Sequence, residues 1–365
     1  MTAPPTTPAW RDARNLLVVR LDNAGDIVML GPALRAVKAT APDARITLLA
    51  SPAGSRAAEL MPWIDETLTW RAVWQDLGHL PFDPPREREL IAMLAARGFD
   101  AALIFTSFSQ TPHVPGYVCY LAGISLRAGA SHEFGGASLS HEFRGLPDSL
   151  HQVDRNLHLV SELGFAGIDQ RLQIAIPPTS HEAVAQRLHA LGIEIGARLA
   201  VLHPGASARA RRYPAGRYGA VAAALRTAGW RVVLTGSERE REQLDAASAA
   251  AGEALPHLTD LTMPEFAALI ARSAVVVCGN TLPLHLADAV GTPVVALYSG
   301  TDLISQWEPR FVPARILQQP VPCAPCYRFE CPIGLPCLDI APAEVVAAIE
   351  SVTAQPAGSP RKALP

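Results

Sequence analysis

Short apolar runs recur along the chain, separated by longer segments whose apolar residues return every three or four positions. LLVVRL (16–21), ITLLA (46–50) and AALIF (101–105) read as strands buried on both sides. Helical spacing follows the first of them through about residue 40, and it returns over 84–97 with charged residues on the opposite side. Around 171–182 a Pro-Pro pair and a Ser/Thr step break the rhythm. It restarts with RLAVL (198–202), WRVVLTG (230–236), SAVVVCG (273–279) and TPVVALY (292–298), and ends on a helical stretch over 342–352. Such β/α alternation predicts parallel sheets covered by helices on both faces. Two doubly wound domains are expected, 1–175 and 176–352, facing one another across a cleft. A Pro- and Gly-containing tail, 353–365, is expected to be disordered.

The bulk numbers fit that picture and narrow the function. A chain of 365 residues with 49% hydrophobic and 18% charged positions is globular, with a large interior. A net charge of −3 gives no support to non-specific nucleic-acid binding, which calls for a strong basic excess. The opening MTAPPTTPAWRDAR lacks a signal-peptide core, and no run approaches membrane-spanning length. The expectation is a cytoplasmic protein, touching the inner face of the membrane at most peripherally.

Polar clusters fall directly after strands, where open α/β sheets bind ligands. HPGASARARRYP (203–214) offers Gly205 for close backbone approach, the Ser207 hydroxyl, and Arg209, Arg211 and Arg212 beside a helix start, a set suited to phosphate or diphosphate. In LTGSERERE (234–242), Ser237 and Glu240 form a capping box. Glu238 suits either a first-turn acid or an acceptor for ribose hydroxyls. Asn280 and Thr281 open a helix that carries His285 one turn on, and Thr301 and Asp302 end another turn after a strand. In the first half Asp26, after Gly25, serves equally as a helix-terminal acid or as a general base for an acceptor hydroxyl. The turn DNAGD (22–26) lacks G-x-G-x-x-G, which argues against a dinucleotide-dependent dehydrogenase.

Taken in order, these segments resemble glycosyltransferase family 9, the ADP-heptose:lipopolysaccharide heptosyltransferases. The resemblance runs from about residue 14 to 352. It rests on LLVVRLDNAGDIVMLGPALRAVKATAPDARITLL, VLHPGAS with RRYPAGRY, LTGSERE, and HLADAVGTPVVALYSGTD. It implies a GT-B fold and an inverting transfer, with no metal at the catalytic centre. Asp26 is implied as the base, with Arg20 and Gly25 on the acceptor side. Arg211 is implied to neutralise the departing diphosphate and Glu238 to bind ribose. Leu261, between Asp260 and Thr262, is implied to pass near adenine. Gly205, Ser207, Arg209, Asn280, Thr281, His285, Thr301 and Asp302 are implied to hold the nucleotide sugar. Where the family has Asp-Thr-Gly, this chain has Asn280-Thr281-Leu282. The exchange removes a charge and adds bulk, which implies an altered donor sugar, or a catalytically altered protein that still binds the donor. The implied acceptor is a lipopolysaccharide-core or other surface glycan, free or lipid-linked.

Cys323, Cys326, Cys331 and Cys337 crowd into CAPCYRFECPIGLPC, a spacing that allows a structural zinc ion or iron–sulfur cluster over 322–338. Reduced, partly buried thiols or a disulfide are the plainer reading. A metal- or redox-responsive protein built on this cluster is the functional alternative.

Overall fold

The computed structural model describes residues 8–76, 79–165 and 169–354. The chain divides into two compact units, Met1–Gln173 and Ile174–Pro365. Each is built on a six-stranded sheet whose paired strands all run parallel.

In the first unit the strands are β1 (Asn15–Arg20), β2 (Arg45–Ala50), β3 (Glu66–Thr69), β4 (Ala101–Ile104), β5 (Leu126–Ala130) and β6 (His141–Phe143), in the order β3-β2-β1-β4-β5-β6. In the second they are β7 (Leu199–His203), β8 (Arg231–Thr235), β9 (His257–Leu258), β10 (Val275–Cys278), β11 (Val294–Leu297) and β12 (Ala314–Leu317), in the order β12-β11-β10-β7-β8-β9. The central strands are apolar because helices cover both faces. Leu16, Leu17 and Val18, like Val275, Val276 and Val277, have no exposed surface, each such side chain contributing about 1.5–3 kcal/mol by burial.

Each sheet reverses its winding once, between β1 and β4 in the first unit and between β7 and β10 in the second. At such a point the loops leaving the two strands diverge to opposite faces and open a crevice at their carboxyl ends. Sequence patterning located the central strands but not β3, β5, β6, β9 and β12. These are short and lie toward the sheet edges, where polar residues such as Glu66, Arg127 and His141 interrupt the apolar run. The closing helix, Pro342–Thr353, packs on the second sheet. Of the tail expected to be disordered, 355–365 lies outside the described residues. Among the described residues no helix is long and apolar enough to cross a membrane.

Candidate functional site

In the first unit the loop after β1 turns directly into a short helix, Ala24–Val28, with Asn23 as its N-cap. Asp26, in the first turn, accepts from the Asn23 N–H at 3.2 Å through Oδ2. Its other oxygen, Oδ1, lies 2.7 Å from Arg20 Nη2. The side chain therefore ties off the helix and holds an ion pair at once. Arg20, the last residue of β1, is completely buried. Its Nε lies 2.9 Å from Asp22 Oδ2, and Nη2 also donates to Ser107 Oγ at 3.0 Å. Burial works to lower the Arg20 pKa, but Asp22 and Asp26 together hold it above its ordinary value. Burial also raises the Asp22 carboxyl above the usual range. Arg20 opposes that rise and Asp26 adds to it.

Close backbone approach makes this cluster possible. A Cβ on Gly54 would fall 2.9 Å from the Asp22 carbonyl oxygen, which Ser51 Oγ already holds at 2.6 Å. From the β4 side, Gln110 Nε2 donates to Asp22 Oδ1 at 2.5 Å, and its Oε1 accepts from the Ser107 N–H at 3.0 Å. Arg20, Asp22, Asp26, Ser107 and Gln110 thus meet in the β1/β4 crevice. Gly25 is buried beside them in the same helix. Sequence reading assigned no role to Ser107 or Gln110 and left Asp22 unlinked to Asp26. The available signal was the polar loop TSFSQTP (106–112) directly following AALIF.

In the second unit the loop after β7 ends in a single turn, Arg209–Arg211. Arg211 donates through Nε to Thr301 Oγ1 at 3.1 Å, and its Nη2 lies 2.7 Å from Asp302 Oδ2. Thr301 Oγ1 donates to the same Asp302 oxygen at 2.6 Å and shares a hydrogen bond with Ser299 Oγ. Asn280 Nδ2 lies 3.5 Å from Asp302 Oδ2. The loops after β7 and β10 touch through backbone: a Cβ on Gly279 would sit 3.1 Å from the Arg211 carbonyl oxygen. Thr281 is the N-cap of the helix Leu282–Val290 yet makes no side-chain cap. Its Oγ1 is buried without a hydrogen-bond partner, a group whose burial is offset only when something donates to or accepts from it. His285 is buried in the first turn of that helix.

Nearby, His203 is half-buried at the end of β7, with Nδ1 3.0 Å from Thr235 Oγ1. Burial lowers its pKa, and Glu240 pulls the other way. Glu240 caps Ser237 through the N–H at 2.8 Å and the hydroxyl at 2.9 Å. The same carboxylate lies over Gly205, where any Cβ would collide with it. A side chain at 205 would thus have to displace the Glu240 carboxylate from Ser237, a coupling its local sequence does not reveal. Glu238 stands at the surface, paired with Arg241 and hydrogen-bonded to Thr259. Those partners lower its pKa to about 2. Leu261 is half-buried between Asp260, which pairs with Arg187 at 2.7 Å, and Thr262, which caps the helix Met263–Arg272. Arg209, 4.0 Å from Glu330, and Ser207 are exposed on the same loop as Arg211. Half-buried Arg211 and buried Thr301, Asp302 and Asn280 therefore form one cluster, whereas Arg209 and Glu238 are exposed and pair with other residues.

The cysteine-bearing segment lies against this cluster. The Cys326 N–H donates to the Gly300 carbonyl at 2.8 Å, Tyr327 N–H to Thr301 at 2.9 Å, and Ala210 N–H to Phe329 at 2.9 Å. All four cysteines are free thiols, with Cys323 exposed and Cys337 buried. Among the described residues, no three His, Cys, Asp or Glu side chains are grouped so as to hold a metal ion.

A model of glycosyltransferase family 9 (heptosyltransferase) matches residues 88–335. Lipopolysaccharide heptosyltransferase 3 of Escherichia coli is 29% identical over 161 residues, covering 43% of this chain and 46% of that relative. This match thus spans about half of the relative's length. The protein of the same name from Escherichia coli strain K12 is 24% identical over 293 residues, 78% of this chain and 82% of its own. The structure of Escherichia coli ADP-heptose lipopolysaccharide heptosyltransferase II superposes with a TM-score of 0.72 at 21% identity, covering 93% of this chain and 98% of that one. That likeness establishes the GT-B fold.

Proposed function

The chain belongs to glycosyltransferase family 9, the heptosyltransferases, and from that premise we propose that it transfers a heptose or closely related sugar from an ADP-linked donor. The acceptor is a hydroxyl of a lipopolysaccharide-core or other surface glycan. The relative of the same fold named for ADP-heptose supports the donor base, and the lipopolysaccharide heptosyltransferases support the acceptor class.

The observation that carries this reading is the cluster at the β7/β10 crevice. There the Arg211 guanidinium and the Asn280 amide meet on Asp302 Oδ2, and Asn280 leads directly into the unpartnered Thr281 hydroxyl and the start of the helix Leu282–Val290. A guanidinium and a helix N-terminus are what a diphosphate requires. As the anomeric C–O bond breaks, negative charge grows on the diphosphate oxygen, and Arg211 neutralises it. Asp302 and Thr301 hold the guanidinium in place. The incoming electron pair comes from the acceptor hydroxyl, whose proton passes to the Asp26 carboxylate. Attack opposite the leaving group inverts the anomeric centre.

Glu238 and the segment around Leu261 serve the nucleoside on this reading. Asn280, an amide where the family has a carboxylate, sets the sugar. No step draws on a metal, and the cysteine segment supports the donor loops. A lipid-linked acceptor would be met at the membrane surface, which makes any membrane contact peripheral.

A thermal-shift screen of ADP-, GDP-, UDP- and CDP-heptose tests the donor. The ADP sugar is expected to raise Tm at concentrations where the others do not, because only a ligand bound to the folded chain stabilises it. Stabilisation by another base and not by ADP would overturn the assignment.

A further inference from the structure

The β1/β4 crevice of the first unit holds a cavity of about 240 Å³, lined among others by Val19, Leu21, Trp74, Gln75, Phe105 and Gln110. Its position follows from topology, because this is where the first sheet reverses its winding. Two kinds of wall meet in it. Leu21 and Phe105 are buried, and Trp74 packs partly on the core while also lining the cavity. On the polar side Gln110 Nε2 is fixed by Asp22 Oδ1 at 2.5 Å and faces Gln75 Oε1 at 3.4 Å. That use of its oxygen leaves the Gln75 amide N–H donors for a ligand. Thr111, also in the lining, accepts from the His113 N–H at 3.3 Å, so its own O–H remains to donate.

We infer that this cavity is a subsite for one uncharged sugar ring of the acceptor, an inference that rests on the transferase reading above. An aromatic wall removes the apolar C–H face of a pyranose from water, and amide and hydroxyl groups pair its rim of hydroxyls. The volume lies below the roughly 300–1,000 Å³ of whole-ligand pockets, so it takes one ring and leaves the rest of the glycan outside. Its described lining contains no Lys or Arg. The nearest charge bonded to its wall is the Asp22 carboxylate. The nearest guanidinium, Arg20, is already engaged by Asp22 and Asp26, so a carboxylate- or phosphate-bearing ring would enter without a cation to pair it. A bound ring would also rest on residues linked to Asp26 through Gln110, Asp22 and Arg20, at 2.5, 2.9 and 2.7 Å.

Saturation-transfer NMR on the full chain tests this with two probes, a methyl heptopyranoside and the methyl glycoside of a ulosonic acid. The neutral ring is expected to bind at least tenfold more tightly. Trp74→Ala, which removes the platform, and Val114→Trp, which fills the mouth from an exposed lining position, are each expected to weaken it at least tenfold. ADP binding should remain unchanged in both. Equal binding of the acidic ring, or undiminished neutral binding in Val114→Trp, overturns the subsite. If the ring binds as expected but no nucleotide sugar supports transfer, the transferase reading fails and the subsite stands. If transfer proceeds with an unaltered acceptor KM in both variants, the subsite alone fails.

Discussion

Arg20 Nη2 lies 2.7 Å from Asp26 Oδ1, within a guanidinium that has no exposed surface and also faces Asp22 at 2.9 Å. One buried cation thus balances two carboxylates, and only Asp26 extends the contact to a helix terminus. The proposed base is held by a fixed partner rather than by solvent.

Asp26→Asn keeps the size of the side chain and removes its basicity. Transfer is expected to fall by about 10²- to 10⁴-fold, with ADP binding measured calorimetrically unchanged. Wild-type turnover in that variant would remove Asp26 from the reaction.

Arg20→Met leaves Asp22 and Asp26 facing each other without a cation. Breaking a buried pair on one side costs about 3–5 kcal/mol, so the urea midpoint should fall far below that of the wild type. A shift within error would mean that the two carboxylates are compensated elsewhere.

Arg211→Ala should lower kcat by about 10²- to 10³-fold, the usual effect of losing one preorganised donor to developing charge. Arg211→Lys restores the charge but not the fork that meets both Thr301 and Asp302, and should recover only part of the rate. Full recovery with lysine would show that the fork geometry is unimportant.

His203 supplies the pH dependence. Burial holds its pKa below the ordinary value near 6.5. As pH falls below about 6.5 the unfolded chain takes up a proton that the folded chain does not. Stability is therefore complete above that pH and declines below it, by at most about 1.4 kcal/mol per pH unit for this one group. In His203→Gln the decline between pH 7 and 5 should be shallower. An identical slope in chemical denaturation would assign the pH response to other groups.

Removal of divalent metal by EDTA should leave initial transfer rates unchanged, since Arg211 and a helix N-terminus supply the charge that a metal would otherwise bring to the diphosphate. Loss of activity restored by added magnesium would contradict the metal-independent mechanism.

Much of the fold was legible because buried parallel strands must be continuously apolar, and LLVVRL, RLAVL and SAVVVCG announce themselves on that ground. Edge strands such as Glu66–Thr69 and His141–Phe143 carry no such obligation, since one side of each faces outward, and their sequences are mixed. Local chemistry likewise marked Asp26, Arg211, Thr281 and Asp302, each placed just after a strand by sequence alone.

What sequence could not determine was which of these groups share a charge or a surface. Gln110 reaches Asp22 across 88 positions, and Arg211 reaches Asp302 across 91. Partnerships at that separation exist only once β1 lies beside β4 and β7 beside β10. The hydrophobic pattern determined that the strands form and are buried. Their order in each sheet, and so the crevice where the charged loops converge, came from tertiary packing, because parallel pairing joins strands distant along the chain.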